Sequence, residues 1–317
     1  MSAALYGERG FYTVGGEAGR RGDFITSPEV GPLFGAVLAR WIQAEFIRLG
    51  EPDDFTIVEA GAGPGTLARS ILLAAPQWAG RYCAVEVSAA QRARHPDGVR
   101  SVAEMPTDPF RGVIVANELL DNLPFRIAVY DGGWREAMVA VAGDGTASEV
   151  LVSAPPEWNW LPTAVSHGAR VPVQDAAGVW LRAMRARLIE GTVLAFDYCT
   201  ATTWQLANMP WREWLRTYRG HERGTHYLRD VGLQDITTQV CLDQLPEPTT
   251  VRAQAQFLQR WGIEELVEEG RAAWTASAGA PNIAALRMRS RIRESESLLE
   301  PNGLGGFLAV EWSAGVP

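Results

Sequence analysis

Between residues 55 and 75 the chain reads FTIVEAGAGPGTLARSILLAA, a short β-branched run, a glycine-rich turn and then a helix-forming run. That succession is the opening half of a Rossmann-like unit, in which a buried strand turns tightly into a helix and the turn receives a cofactor. The fold class that follows is α/β. Within the turn, Glu59, Gly61, Gly63 and Gly65 form an E-x-G-x-G-x-G pattern. It departs from the dinucleotide pattern G-x-G-x-x-G, because Gly65 comes one residue early and Thr66 follows it. Pro64 removes one backbone donor from a loop that would otherwise aim its amides at a pyrophosphate. The loop suits a ligand without phosphates. S-adenosyl-L-methionine is such a ligand, with a sulfonium, a ribose and an amino-acid tail, and Glu59 at the strand end favours its cationic groups. The bland alternative is that the glycines only allow strand and helix to pack closely.

A second strand, RYCAVEVS, ends in Glu86, about 20 residues beyond Gly65, where a carboxylate can accept both ribose hydroxyls. Further on, the apolar run GVIVA leads into NELLDNLP. Ligands of open α/β sheets sit beyond the carboxyl ends of the strands, so Asn117, Glu118 and Asp121 emerge where the methyl group of such a cofactor would point. Glu118 and Asp121 are three residues apart and share one side if the chain turns helically there. Paired carboxylates can grip a guanidinium in bidentate fashion and hold it for in-line attack. Equally, the two acids can do no more than cap and solvate a helix start.

Ahead of this core lies GRRGDFITSPEVGPLF. Ser27 can cap a helix, Pro28 suits its first position and Glu29 complements its dipole. Val30, Leu33, Phe34, Val37, Leu38, Trp41 and Ile42 then recur on one face, with Arg40, Gln43 and Arg48 off it. Gly50, Glu51, Pro52 and Asp53 end the helix before the first strand.

Composition narrows the partners. With 29 basic and 37 acidic residues the formal charge is −8 and no long run of either sign occurs, which disfavours nucleic acid. Cys83, Cys199 and Cys241 are odd in number and widely spaced, so neither a disulfide framework nor a zinc cluster is expected. No window has the roughly 18 apolar residues of a membrane span, and MSAALYGERGFY lacks the pattern of a signal peptide. The expectation is a cytoplasmic chain with no membrane partner; its state of association is open, a homodimer among the options.

The ordered blocks LYGERGFYT, GRRGDFITSPEVGPLFG, VEAGAGPGTL, VEVS, ANELLDNLPF, AFDY and QDIT resemble the MidA family of S-adenosylmethionine-dependent methyltransferases. The likeness spans most of the chain. It implies a class I methyltransferase Rossmann-like sheet with an N-terminal helical cap and inserted helical and hairpin segments, and a protein arginine as methyl acceptor. Two departures stand out. The family's cofactor loop usually reads G-P-G-R-G-T, where Ala62 and Pro64 stand here at the first proline and the arginine. Its acidic motif is commonly E-F-F-D-A-L-P, where Leu119, Leu120 and Asn122 stand here. Beside a methyl-donor site, the polar segment before the first helix is expected to lie over the cofactor. Asp23, Thr26 and Ser27 would then be near the cofactor or acceptor, with Arg20 and Arg21 as anchors.

The remaining chain is legible only coarsely. Residues 126–155 read as two or three short strands of a hairpin excursion, residues 175–189 as a helix, and GTVLAFDY as a buried strand ending at Asp197 and Tyr198. Residues 204–245 mix aromatics with arginines and suggest a lid or substrate-facing wall. His221 and His226 there lack a nearby ligand pair and do not suggest a metal. A strand, two helices near 254–276 and 282–298, and a closing strand GFLAVEW complete the chain. Three spans result: a cap over 1–50, a cofactor-binding core over 51–200, and lid helices with closing strands over 201–317. The expected activity is methyl transfer without metal or covalent intermediate, with Glu59, the three glycines, Glu86 and Asn117 on the cofactor and Glu118 and Asp121 on the acceptor. A small-molecule N- or O-methyltransferase and a non-catalytic assembly protein of the same fold are the alternatives.

Overall fold

The computed structural model describes residues 1–14, 26–220, 222–277, 279–280 and 282–315. The chain forms two compact units. One consists of Met1–Gly16, Leu120–Ala183 and Tyr198–Glu247, the other, larger one of Glu17–Leu119, Met184–Asp197 and Pro248–Pro317. These boundaries cut across the three consecutive spans expected from sequence. The reason is a shared core: Leu5 and Phe11 from the N-terminal segment are buried together with Phe125, Val171, Leu206 and Trp214.

The large unit carries a seven-stranded sheet of β1 (Phe55–Ala60), β2 (Tyr82–Val85), β3 (Arg100–Val102), β4 (Phe110–Asn117), β5 (Leu188–Asp197), β6 (Thr250–Ala253) and β7 (Leu308–Ala314). Their order is β6-β7-β5-β4-β1-β2-β3. β7 runs antiparallel to both of its neighbours, while β1 to β5 are parallel. The last strand is thus interior and β6 holds the edge. Strand order reverses between β1 and β4, so the crevice beyond Ala60 and Asn117 is the topological switch point where such sheets bind ligands.

Helix α1 (Pro32–Arg48) buries the apolar stripe read from the sequence: Leu33, Phe34, Val37, Leu38, Trp41 and Ile42 pack on Ile57, Val113, Val115, Leu194 and Phe196. Phe34 meets Phe196 edge-on at 5.1 Å. Each such side chain contributes about 1.5–3 kcal/mol of transfer free energy. Gly35 allows α1 to approach α2 (Thr66–Ala74); a Cβ there would lie 2.4 Å from that of Ser70.

The helix start differs from expectation. Ser27–Val30 is a separate turn preceded by Thr26, and no side-chain cap bond is made. Pro32 lacks an N–H and disfavours helical geometry at Gly31, so the helix cannot run through. The Leu33 amide instead donates to the buried carboxylate of Glu294 at 2.8 Å. The helix expected over 254–276 is likewise divided, into Gln254–Arg260 and α3 (Ile263–Ala276), by Gly262 in a left-handed conformation (φ 82°). Helix α4 (Ile283–Leu299) follows.

In the small unit the expected hairpin excursion is a four-stranded antiparallel sheet. Arg126–Tyr130, Trp134–Val141 and Ala147–Ser153 are joined by Arg170–Val173, a strand that a Pro in RVPV conceals. Residues 204–245 hold short helices and a second antiparallel sheet built on Leu215–Arg219 and Asp235–Thr238. Among the described residues no helix is long and apolar enough to cross a membrane.

Candidate active site

At the end of β1 the chain turns through Gly61, Gly63 and Gly65, all left-handed, with φ of 69°, 51° and 78°. A side chain at any of them would cost on the order of 1–2 kcal/mol in backbone strain. At Gly65 a Cβ would also press on Pro96 at 3.0 Å. The loop is fastened: Ala62 N–H donates to Val85 O (2.9 Å), Gly63 N–H to Glu86 Oε2 (3.0 Å), and His95 Nε2 lies 2.9 Å from Gly63 O. Glu86, the first residue beyond β2, also accepts from the Ser88 amide at 2.8 Å. Each of its oxygens retains acceptor capacity for a hydroxyl.

Glu59 is 5% exposed, on the face of β1 that looks toward Tyr82, whose hydroxyl donates to it at 2.8 Å. Burial pushes its carboxyl up to about 8; the Tyr82 hydrogen bond opposes this and the charge of Glu86 adds to it. On β4, Asn117 donates to Glu118 Oε1 at 3.2 Å, while its own Oδ1 is buried and has no partner among the described residues. Glu118 is held left-handed (φ 50°), unusual for a residue with a side chain, and its amide donates to Phe196 O at 2.8 Å. Two acids and an unpartnered acceptor at the switch point make a site that favours a cationic ligand bearing N–H and hydroxyl donors. S-adenosylmethionine has those groups, so the residues present fit it.

Of the sequence-predicted residues, Glu59, Gly61, Gly63, Gly65, Glu86, Asn117 and Glu118 thus meet at the strand ends of the large unit. Thr26 and Ser27 belong to the same unit but are buried. Ser27 donates its hydroxyl to Gln254 at 3.0 Å. Asp23, Arg20 and Arg21 lie outside the described residues.

Asp121 has a different setting. The helical turn expected to align it with Glu118 does not form: Glu118 is left-handed, and a 3-10 turn begins only at Leu120. Asp121 belongs to the small unit, 2% exposed, and accepts hydrogen bonds from the hydroxyls of Tyr198 and Thr237. Next to it, Asn122 and Tyr12 each donate to Asp235 Oδ1 at 2.9 Å, and Tyr6 donates to Asn122 O at 3.1 Å and stacks on Tyr12. Burial raises Asp121 to about 6 against the two hydroxyl donors; burial and then the negative charge of Asp121 raise Asp235 to about 7. This cluster unites the blocks LYGERGFYT, ANELLDNLPF, AFDY and QDIT. Sequence reasoning assigned no role to Tyr6, Tyr12, Asn122, Asp235 or Thr237. It also passed over Tyr82, although strand alternation places Tyr82 diagonally from Glu59 on one face. No local signal marks His95.

His226 stacks on Tyr227, and His221 lies outside the described residues. Among the described residues no group of three or more His, Cys, Asp or Glu is arranged to hold a metal ion.

Comparison with known proteins identifies the family. Residues 37–259 match the model of a family described as "Putative S-adenosyl-L-methionine-dependent methyltransferase". The chain belongs to this family. These MidA-like methyltransferases take S-adenosylmethionine as cofactor. A mitochondrial protein arginine methyltransferase NDUFAF7 homolog of Drosophila melanogaster is 28% identical over 175 residues, 45% of this chain and 40% of that protein. The chain therefore matches two fifths of that relative's length. The NDUFAF7 of Danio rerio is 25% identical in an alignment covering 93% of this chain and 77% of that one. A crystal structure described as a "likely methyl transferase from Burkholderia thailandensis bound to S-adenosyl-homocysteine" superposes with a TM-score of 0.85 at 25% identity, covering all of this chain and 87% of that one.

Proposed function

We propose that this family member transfers a methyl group from S-adenosylmethionine to an arginine guanidinium of a protein. The observation that carries the reading is the switch-point site, with Glu59, Glu86 and the unpartnered Asn117 Oδ1 around the glycine turn. When bound, the cofactor supplies an electrophilic methyl group. Glu86 would receive the ribose hydroxyls, and Val87, an apolar side chain 56% exposed beside it, would cover the adenine. Glu59 and Asn117 Oδ1 would take the ammonium. Glu118 would grip the guanidinium, and its left-handed backbone fixes where the carboxylate is presented. The same carboxylate is the one we assign to the proton lost on transfer.

The arginine acceptor is supported by the names of the Drosophila and Danio relatives and by the carboxylate chemistry. A cytoplasmic location is a separate proposal, supported by three free cysteines, which suit a reducing compartment. Calorimetry with S-adenosyl-homocysteine tests the cofactor: the absence of binding at millimolar ligand would end every methyltransferase reading. Labelled S-adenosylmethionine added to a lysate lacking the gene tests the acceptor. Label in a polypeptide arginine is expected; label in a small molecule would replace the acceptor.

A further inference from the structure

The small unit contains a cavity of about 440 Å³ between Pro210–Thr217 and Arg223–Tyr227. Three guanidiniums line it, Arg212, Arg216 and Arg223, against one carboxylate, that of Glu213. Arg170 nearby is matched, clamping Glu149 through two bonds of 2.6 and 2.7 Å. Among the described residues, none of the three cavity arginines forms an ion pair. Yet they are held in place. Arg216 Nε donates to Glu213 O at 2.8 Å, Arg223 donates to the carbonyl of Arg212, and Arg212 lies 4.9 Å over the Trp211 ring. A guanidinium has five N–H donors, so these single backbone contacts leave donors for a ligand.

Two further observations point the same way. Thr217 Oγ, on the cavity wall, is buried and has no partner among the described residues. The imidazole of His226, edge-on to Trp211 at 5.8 Å, is pushed below its usual pKa by burial and then by the charge of Arg212, which registers the positive field inside the cavity. On the same wall, Arg216 lies 5.8 Å over the ring of Tyr198, whose hydroxyl donates to Asp121.

We infer that this cavity binds the side-chain carboxylate of an acidic peptide. Planar guanidinium forks match a carboxylate, and Trp211 supplies an apolar surface for the methylene groups of a Glu side chain. A polyanion is a poor occupant, because Glu213 lines the wall and the chain carries a net charge of −8. The inference goes beyond the proposed methyl transfer and can be tested apart from it.

Three fluorescent synthetic peptides serve as probes: a central arginine flanked by glutamates, the same with glutamines, and the glutamate peptide with lysine at the centre. Free glutarate is the fourth. The glutamate peptide is expected to bind about tenfold more tightly than the glutamine peptide at low salt. In the double variant Arg212→Gln/Arg223→Gln, whose altered side chains are exposed, that preference should collapse. The ring resonances of His226 should titrate at higher pH with the glutamate peptide bound. Equal affinity for the glutamate and glutamine peptides, or a preference that survives in the double variant, would overturn the inference. So would glutarate shifting His226 without any peptide preference, since that assigns the cavity to a free acid. An acidic preference that persists with the lysine peptide supports the carboxylate site even if methyl transfer to arginine fails, which separates the two readings.

Discussion

The two units hold carboxylates in opposite ways. In the large unit, Glu59, Glu86 and Glu118 stand at strand ends around one glycine turn, each within a few residues of a regular element that positions it. In the small unit, Asp121 and Asp235 are sealed among hydroxyls and an amide contributed by segments far apart in the chain. In the first arrangement the donors come from neighbouring strands and the turn itself: Tyr82, the Gly63 and Ser88 amides, and Asn117. In the second they come from those distant segments. A ligand-binding site and a positioning network can therefore use the same residue type and differ in how far along the chain their donors come from.

Glu118→Ala should separate the two most strongly. Turnover is expected to fall by on the order of a hundredfold to a thousandfold, with affinity for S-adenosyl-homocysteine changed by less than about threefold. Single-turnover methyl transfer and calorimetry on the same preparation measure both, and unaltered turnover would remove Glu118 from the acceptor site. Gly65→Val comes next. A β-branched residue at φ 78° pressing on Pro96 should weaken cofactor binding by about a hundredfold or more. Because the strain is local to the loop, the hydroxyl network of the small unit should be unaffected, as read by hydrogen exchange. Loss of protection in both units would mean that they do not respond separately.

In the small unit, Tyr12→Phe removes a donor from a buried carboxyl and should lower stability by about 1–3 kcal/mol in urea unfolding, with cofactor affinity unchanged. Stability should also depend on pH there. Asp121 and Asp235, at about 6 and about 7, hold protons that the unfolded chain loses near its ordinary carboxyl pKa of about 4. Their contribution is fully present below about pH 4 and is lost as pH rises through 6 and 7, at no more than about 1.4 kcal/mol per pH unit for each group. Asp235→Asn should flatten part of that slope in unfolding curves taken across this range; an unchanged slope would place the titration elsewhere.

The smallest effect belongs to the large unit. Glu59, raised to about 8, is mostly protonated near pH 7, so an ammonium arriving beside it should expel up to about one proton. Calorimetry in buffers of different ionisation heat reads that proton, and Glu59→Gln should abolish it. If the variant released the same proton, another group would be its source.

The same contrast explains what the sequence made legible. The glycine turn, Glu59 and Glu86 could be read because strand, turn and helix follow one another and the chemistry lies within single stretches. Asn117 and Glu118 followed from the rule that ligands meet strand ends. Asp121 was singled out, but its partners were not, since nothing local tells that Tyr198 or Thr237 closes over it. The break at Gly31 was written in the chain as Pro32 and was overridden by a continuous apolar stripe. Glu294, which takes the cap's role for α1, arrives from a distant helix. The sheet order could not be read either, because an interior antiparallel strand such as β7 has the same β-branched and aromatic composition as an edge one.

That placement of β7 bears on synthesis. The strand pairs on both sides, with β5 and with β6, and it is the last of the sheet to leave the ribosome. Until it does, the hydrogen-bonding edge of β5 is unpaired and β6 has no sheet to join. An emerging chain that lacks β7 thus presents a long open edge of the kind that other chains can pair with. Completion of the sheet is thus a single insertion between two strands already made, and a chain stalled short of β7 keeps both of them without that partner.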